Sequence, residues 1–300
     1  MKYLSFRLYL RLAGSFLFNG SVFLLMSILF FSCQKEENLT GYTPSLVIDG
    51  RIESGGYPRV AITRNIPYYV NIDSADMLKL VIRQAKVTVS DGVSSEILTL
   101  KYDKNVFPPF YYEGNELSGE PGKTYALTVE WGTTVLTATT TIPAPVKPDS
   151  VWFEPLADNP EKGKVCVKLR DNAAENNYYK MFTRIVGQQY EFVPTLISNF
   201  DDKAFNGKTF VFSLNKGPES YINMTGNDFY FDREDSILVK VCTLDKNHFA
   251  FWRSYQQEIA NSGNPFASSF HSVESNIKGD GFGVWGGFGT YWTKIGKRQK

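Results

Sequence analysis

Tyr125-Ala126-Leu127-Thr128-Val129-Glu130-Trp131, then Gly132, then Val135-Leu136-Thr137-Ala138-Thr139-Thr140-Thr141-Ile142, is the passage that decides the fold. Leu127, Val129 and Trp131 fall on one side of the first segment, the period-two alternation of a half-buried strand. Gly132 turns the chain, and the second segment returns rich in β-branched threonine, which packs well on a pleated surface. Toward the N-terminus the same period recurs. Leu46, Ile48, Gly50 and Ile52 share one face, Val60 and Ile62 begin another strand, and Val81 to Val89 is β-rich. Asp91-Gly92 reads as a two-residue hairpin turn before Ile97, Leu98 and Leu100, and Pro121-Gly122 as a further turn. About seven short strands in roughly 100 residues, with turns between, predict an immunoglobulin-like or fibronectin-like β-sandwich over residues 45–143.

Toward the C-terminus, Pro143, Pro145 and Pro148 stiffen the backbone and remove ladder donors, which places a linker at 144–149. From Ser150 the alternation resumes, with Val165, Val167 and Leu169 between polar neighbours, and with further strands at Tyr178–Val186, Thr209–Ser213, Tyr221–Met224 and Ser236–Leu244. One segment is helical. Phe249, Trp252, Tyr255, Gln256 and Ile259 recur three and four apart between Asn247 and Asn261, with Asp245 as cap and Gly263 as stop. Residues 150–296 therefore read as an antiparallel β domain with one packed helix, followed by a basic tail at 297–300. The chain as a whole is mainly β.

Composition narrows the function. The chain has 300 residues, 43% hydrophobic and 15% aromatic, enough for well-filled cores. Its net charge is +1, and residues 1–32 hold three of its 32 basic groups and no acid, so the remainder is slightly acidic. That balance leaves no electrostatic footprint for nucleic acid.

Residues 1–32 have the order of a secretory signal: Lys2, Arg7 and Arg11, then an apolar run through Phe31, then small Ser32 before Cys33. The Ser32-Cys33 junction resembles a lipobox, where lipid is attached to the cysteine before cleavage. Phe30 and Phe31 stand where smaller aliphatic residues are commoner. An uncleaved anchor helix is the other reading. Residues 33–44 are then a lipidated tether, held firmly because two or three acyl chains bury far more than one. Gln34-Lys35-Glu36-Glu37 resembles the Bacteroidota lipoprotein export signal, which implies the outer face of the outer membrane.

Four stretches together resemble a family of Bacteroidota outer-membrane lipoproteins defined by domain of unknown function 4249. They are Leu46-Val47-Ile48-Asp49-Gly50; Leu117 through Tyr125 running on to Thr140-Thr141-Ile142-Pro143; Asn177-Tyr178-Tyr179-Lys180; and Asn264-Pro265-Phe266 with Ser275-Asn276-Ile277 and Gly281-Phe282-Gly283-Val284-Trp285. The resemblance covers nearly all of the mature chain. It implies a neighbour, a TonB-dependent outer-membrane receptor, and it brings no catalytic residue.

Candidate chemistry is sparse. Gly281-Phe282-Gly283-Val284-Trp285-Gly286 fits a dinucleotide fingerprint in letters alone, because only 14 residues follow and no helix or acid can stand where one is needed. The glycines instead permit a bend or bulge where aromatics pack closely. His248 and His271 are the only histidines, and no serine elbow or metal-ligand spacing accompanies them. Cys166 and Cys242 sit in strands. Export permits a disulfide between them, and two buried free thiols is the other reading. Asp73-Ser74-Ala75, Asp149-Ser150-Val151 and Asp235-Ser236-Ile237 match a loose Bacteroidota O-glycosylation pattern, with Ser150 the most exposed in expectation.

Aromatic residues are the candidate binding groups: Phe107, Phe110, Tyr111 and Tyr112 in a proline-bearing loop, and Trp285, Phe288, Tyr291 and Trp292 near the C-terminus. The expectation is a non-enzymatic surface lipoprotein without cofactor or metal, an accessory or ligand-binding partner of a TonB-dependent uptake system that takes a small ligand or glycan. A structural or adhesive surface protein and an unrecognised hydrolase are the alternatives.

Overall fold

The computed structural model describes residues 44–66, 74–217, 229–261 and 273–296. The signal segment, Cys33, Gln34, Lys35, Glu36, Glu37, His271, Gly263, the strand read at 221–224 and the basic tail lie outside them.

The predicted hairpin is present. β7 (Thr124–Trp131) pairs with β8 (Thr134–Thr141), and Gly132 turns the chain at φ +58°. These join β3 (Lys86–Ser90) and β4 (Ser95–Ile97) in a four-stranded sheet. Between β3 and β4 the turn spans residues 91–94 and closes at Ser90 opposite Ser95, wider than the two-residue turn expected, because the Asp91 carboxylate accepts from the Val93 and Ser94 amides.

Against that sheet stand β1 (Leu46–Glu53), β2 (Arg59–Arg64), β5 (Thr99–Tyr102) and β6 (Phe110–Glu113). Leu46, Ile48, Ile52, Val60 and Ile62 meet Val87, Val89, Leu127, Val129 and Leu136 in the first core. The sandwich expected over the first half is therefore a real layer pair. The loop expected at Val106–Tyr112 is not all loop. Phe110–Glu113 forms β6, and Tyr112 enters the core, where its hydroxyl donates to the Ile82 carbonyl and accepts from the Ala85 amide.

The second half supplies β9 (Ser150–Pro155), β10 (Lys162–Arg170), β11 (Tyr178–Ile185), β12 (Val193–Asp201), β13 (Thr209–Leu214), β14 (Phe231–Asp232) and β15 (Ile237–Leu244). A short helix, α1 (Ser74–Lys79), lies in the first half, and α2 (Lys246–Asn261) follows β15. The second core lies between the sheet of β9, β10, β13 and β14 and the strands β11 and β15, around Val165, Val167, Tyr179, Met181, Phe212, Val239 and Val241. As expected, α2 is capped by Asp245, whose carboxylate accepts the His248 amide.

The last strand joins the halves. β16 (Gly281–Ile295) runs parallel to β1 from Leu46 opposite Gly281 to Glu53 opposite Phe288. It then runs antiparallel to β15, from Leu244 opposite Phe288 to Ile237 opposite Ile295. Phe288 thus faces a strand of each half, and one eight-stranded sheet results in the order β12-β11-β15-β16-β1-β2-β6-β5. Residues 44–300 form one compact unit with two cores, where the sequence suggested domains at 45–143 and 150–296. The prolines at 143–148 do not form a free linker. The Ala144 carbonyl accepts the Thr243 hydroxyl, Val146 packs on the second core, and Gly289 has no side chain where the Pro143 carbonyl lies.

The glycines of β16 serve that junction. Gly283, at φ +121°, lies against the Ile48 backbone, too close for any Cβ. Gly50 leaves room for the Trp285 ring, whose indole N–H donates to the Tyr125 carbonyl at 3.0 Å. Among the described residues no helix is long and apolar enough to cross a membrane.

Candidate functional site

In β1 the residues between the core positions are Val47, Asp49, Arg51 and Glu53. Period two sends them to the opposite face of the shared sheet. On β15 the same rule opposes Lys240 and Cys242 to the core residues Val239 and Val241, and on β11 it opposes Lys180, Phe182 and Arg184 to Met181 and Ile185. Of these outward positions, Asp49, Arg51, Glu53, Lys240, Phe182 and Arg184 floor a cleft of about 430 Å³. The connection between β11 and β12 walls it with Tyr190, Glu191 and Phe192, α2 with His248 and Trp252, and β16 contributes Phe288 and Trp292.

Three charges of its floor, with Glu191 of the wall and Arg59 beside the cleft, form an alternating ladder. Lys240 Nζ stands 2.8 Å from Glu53 Oε1, Arg51 bridges Glu53 at 3.9 Å and Glu191 at 3.6 Å, and Arg59 holds Glu191 at 2.7 Å. Burial alone would raise the Glu53 carboxyl, but Lys240 outweighs it with help from Arg51 and Thr290, and the group is held below its usual range. Rings complete the ladder: Lys240 lies 4.7 Å from the Phe192 ring centre and 4.8 Å from that of Phe182, and Arg59 lies 3.6 Å over Tyr111. Such cation–aromatic contacts strengthen as water is excluded.

Deeper lies Lys180, 1% exposed. It donates to Ser198 Oγ at 3.2 Å and Asn199 Oδ1 at 2.9 Å and sits 4.0 Å from the Trp252 ring centre. Both oxygens are neutral, so burial prevails and lowers its pKa to about 7.

His248 is fixed at both nitrogens. Trp252 Nε1 donates to Nε2 at 2.9 Å, which leaves Nδ1–H to donate to the Gly287 carbonyl at 3.3 Å. Burial lowers its pKa to about 4. The imidazole lies where a side chain at Gly286 would stand, so this glycine seats the histidine on the strand. The Gly287 amide donates to Thr140 Oγ1, whose hydroxyl donates to Asp245, tying the wall of the cleft back to β8. A histidine with both nitrogens occupied in the neutral form is a structural group, not a poised base.

The structure separates the aromatics that the sequence grouped. Trp285 and Tyr112, named as binding candidates, are core residues at 0% and 3% exposure, because odd and even positions of a strand face opposite sides. Trp292, 60% exposed, lines the cleft with Phe288, and Tyr111 lies beneath the end of its ion-pair ladder. Phe110 lines a second recess, and Phe107 is exposed apart from both. Tyr291 is partly exposed.

Cys166 and Cys242 are free and buried. They lie in different sheets, and the disulfide held open by the sequence is not formed. Burial raises the Cys242 thiol to about 12 and the Cys166 thiol, which also faces Glu154, to about 11. Ser150 is exposed, Ser236 has a buried hydroxyl without a partner, and Ser74 opens α1. Among the described residues no three His, Cys, Asp or Glu side chains gather as a metal site. Sequence reading missed Arg51, Glu53, Lys180, Glu191 and Lys240. The charged row Asp49-Arg51-Glu53 on the outer face of β1 was the signal for them.

The fold and cleft define a mainly β protein in which one sheet serves two cores and carries a helix-walled, ion-paired recess. Residues 34–294 match the family described as a domain of unknown function (DUF4249), and the chain belongs to that family. No curated protein matches it in sequence.

Proposed function

We infer that this chain is a non-enzymatic lipoprotein of a Bacteroidota outer membrane, anchored through Cys33 and displayed at the cell surface. There it acts as an accessory or ligand-binding partner of a TonB-dependent uptake receptor, with the cleft as its binding face. The address rests on Ser32-Cys33 and Gln34-Lys35-Glu36-Glu37 and on the family resemblance. The binding reading rests on one observation: Lys240, Glu53, Arg51 and Glu191 are already ion-paired in the cleft, beneath ring walls that include exposed Trp292. Aromatic anchors in a preorganised polar frame suit recognition. The locked His248 speaks against acid–base work in the same place.

Mass spectrometry of the membrane-extracted protein tests the anchor, together with protease treatment of intact cells. A lipid-modified N-terminus at Cys33 and digestion from outside are expected. An unmodified N-terminus that begins at Met1, or full protection in intact cells, would overturn the display reading.

A further inference from the structure

The lining of the cleft selects its ligand by charge. Among the described residues three carboxylates, Asp49, Glu53 and Glu191, and three cations, Arg51, Arg184 and Lys240, line it, so the lining carries no net charge. A ligand of either sign would face groups of its own charge there. The ion pairs do not exhaust these groups. Glu191 uses Oε1 for both of its pairs, which leaves Oε2 to accept. The Arg51 side chain is 41% exposed, and its fork of N–H groups is not spent on Glu53 and Glu191. Arg184 donates to the Tyr190 carbonyl at 3.3 Å, and its buried Nε has no partner.

Along the outer face of β1 the order is therefore acceptor, donor, acceptor: Asp49, Arg51, Glu53. A hydroxyl both donates and accepts, so it fits between such neighbours, whereas a carboxylate or phosphate only accepts and an ammonium only donates. The rings ask for an apolar surface on the same ligand. Tyr190 and Trp292 line the cleft and are 71% and 60% exposed. Trp292 is the register partner of Lys240, so an exposed ring stands directly beside the ion-paired floor. Flat rings attract the C–H face of a pyranose through dispersion and through the negative ring face. A neutral molecule with many hydroxyls and flat C–H faces is a saccharide. A peptide strand would instead seek unpaired backbone at a sheet edge. The floor strands β1, β11, β15 and β16 lie inside the eight-stranded sheet, not at its edge.

We propose that the cleft binds a neutral oligosaccharide, with pyranose faces on Trp292 and Tyr190 and hydroxyls among Asp49, Arg51 and Glu191. The proposal rests on the cleft being the binding face and adds the class of its ligand. A volume of about 430 Å³ lies within the range of small-ligand sites. The ion pairs hold the floor side chains in place beforehand, so little rotamer freedom is lost on binding.

The test uses the full chain purified in a detergent without a sugar headgroup. Titration calorimetry is run with cello-, malto-, xylo- and manno-oligosaccharides, and with oligogalacturonate, chitosan oligomers and short mixed peptides, at low and high salt. Saturable binding of at least one neutral series is expected, unchanged by salt because no net charge is exchanged. It should weaken about tenfold or more in Trp292→Ala and in Asp49→Ala. Both residues are exposed, so urea unfolding of these variants should match wild type. Phe107→Ala, outside the cleft, should bind as wild type does. Binding of none of the neutral series, preference for a charged oligomer or a peptide, or equal binding by Trp292→Ala would overturn the proposal. Capture of a receptor without saccharide binding would overturn the ligand class and leave the cleft a protein-binding face. Saccharide binding without any receptor would uphold the ligand class and overturn the partner reading instead.

Discussion

The two recesses of this molecule both lay cations on aromatic rings and differ in how deeply those cations are buried. In the cleft over the shared sheet, Lys240, Glu53, Arg51, Glu191 and Arg59 neutralise one another in sequence, and the cations also rest on rings. In the recess beside β1, Arg64 and Arg83 rest on the rings of Trp131 and Phe110 and form no ion pair among the described residues. The cause is burial. Lys240 is 7% exposed and Lys180 1%, and a charge so far from water must find partners or change its protonation. Arg64 and Arg83 are exposed to solvent and carry no such requirement. The cleft is thus part of the stability of the fold, and the basic recess is not.

The largest expected effect is acid destabilisation centred on the cleft wall. His248 titrates near 4 in the fold and near 6.5 in the unfolded chain. Its contribution is therefore complete above pH 6.5 and is lost as pH falls toward 4, on the order of 3 kcal/mol. Chemical denaturation across that window should show the loss, and imidazole NMR shifts should remain those of the neutral ring down to about pH 5. A ring that titrates near 6.5 in the folded protein would mean the wall is open to water.

Next is Glu53→Gln, which strands Lys240 beneath Phe182 and Phe192. A loss of about 2 kcal/mol is expected, less than for a wholly buried pair because Glu53 keeps some solvent. Adding Lys240→Met should restore most of it, as measured by urea unfolding of the single and double variants. If the losses simply add, the two groups are not coupled and the ladder is incidental.

The smallest effect separates the regions most cleanly. Arg64→Ala and Arg83→Ala should each change stability by under about 0.5 kcal/mol, because exposed side chains contribute little. A loss above about 1.5 kcal/mol in either would give the recess a structural role.

Much of the fold was readable in the sequence. β1 and β7 announced themselves by period two, β8 by its run of threonines, and α2 by its aromatic stripe and Asp245. β6 was obscured by Pro108-Pro109 beside four aromatics, and β12 by Pro194 and its irregular polar residues, as suits an edge strand. The single shared sheet was not readable, because the pairing of β16 with β1 and β15 joins residues more than 40 positions apart, and local pattern carries no such information. The site was half legible. Trp292 was named, but Trp285 was grouped with it because strand parity was not applied to so glycine-rich a segment. The buried lysines were missed because lysine in a strand ordinarily reads as solvated.

The central claim, that the cleft is the binding face of a displayed partner protein, is tested most directly by affinity purification from gently solubilised outer membranes. Wild type should bring down a TonB-dependent receptor. Trp292→Ala, which leaves the ion-pair ladder and both cores intact, should lose it at equal expression. Recovery of the wild-type chain alone, or equal capture by Trp292→Ala, would contradict the account.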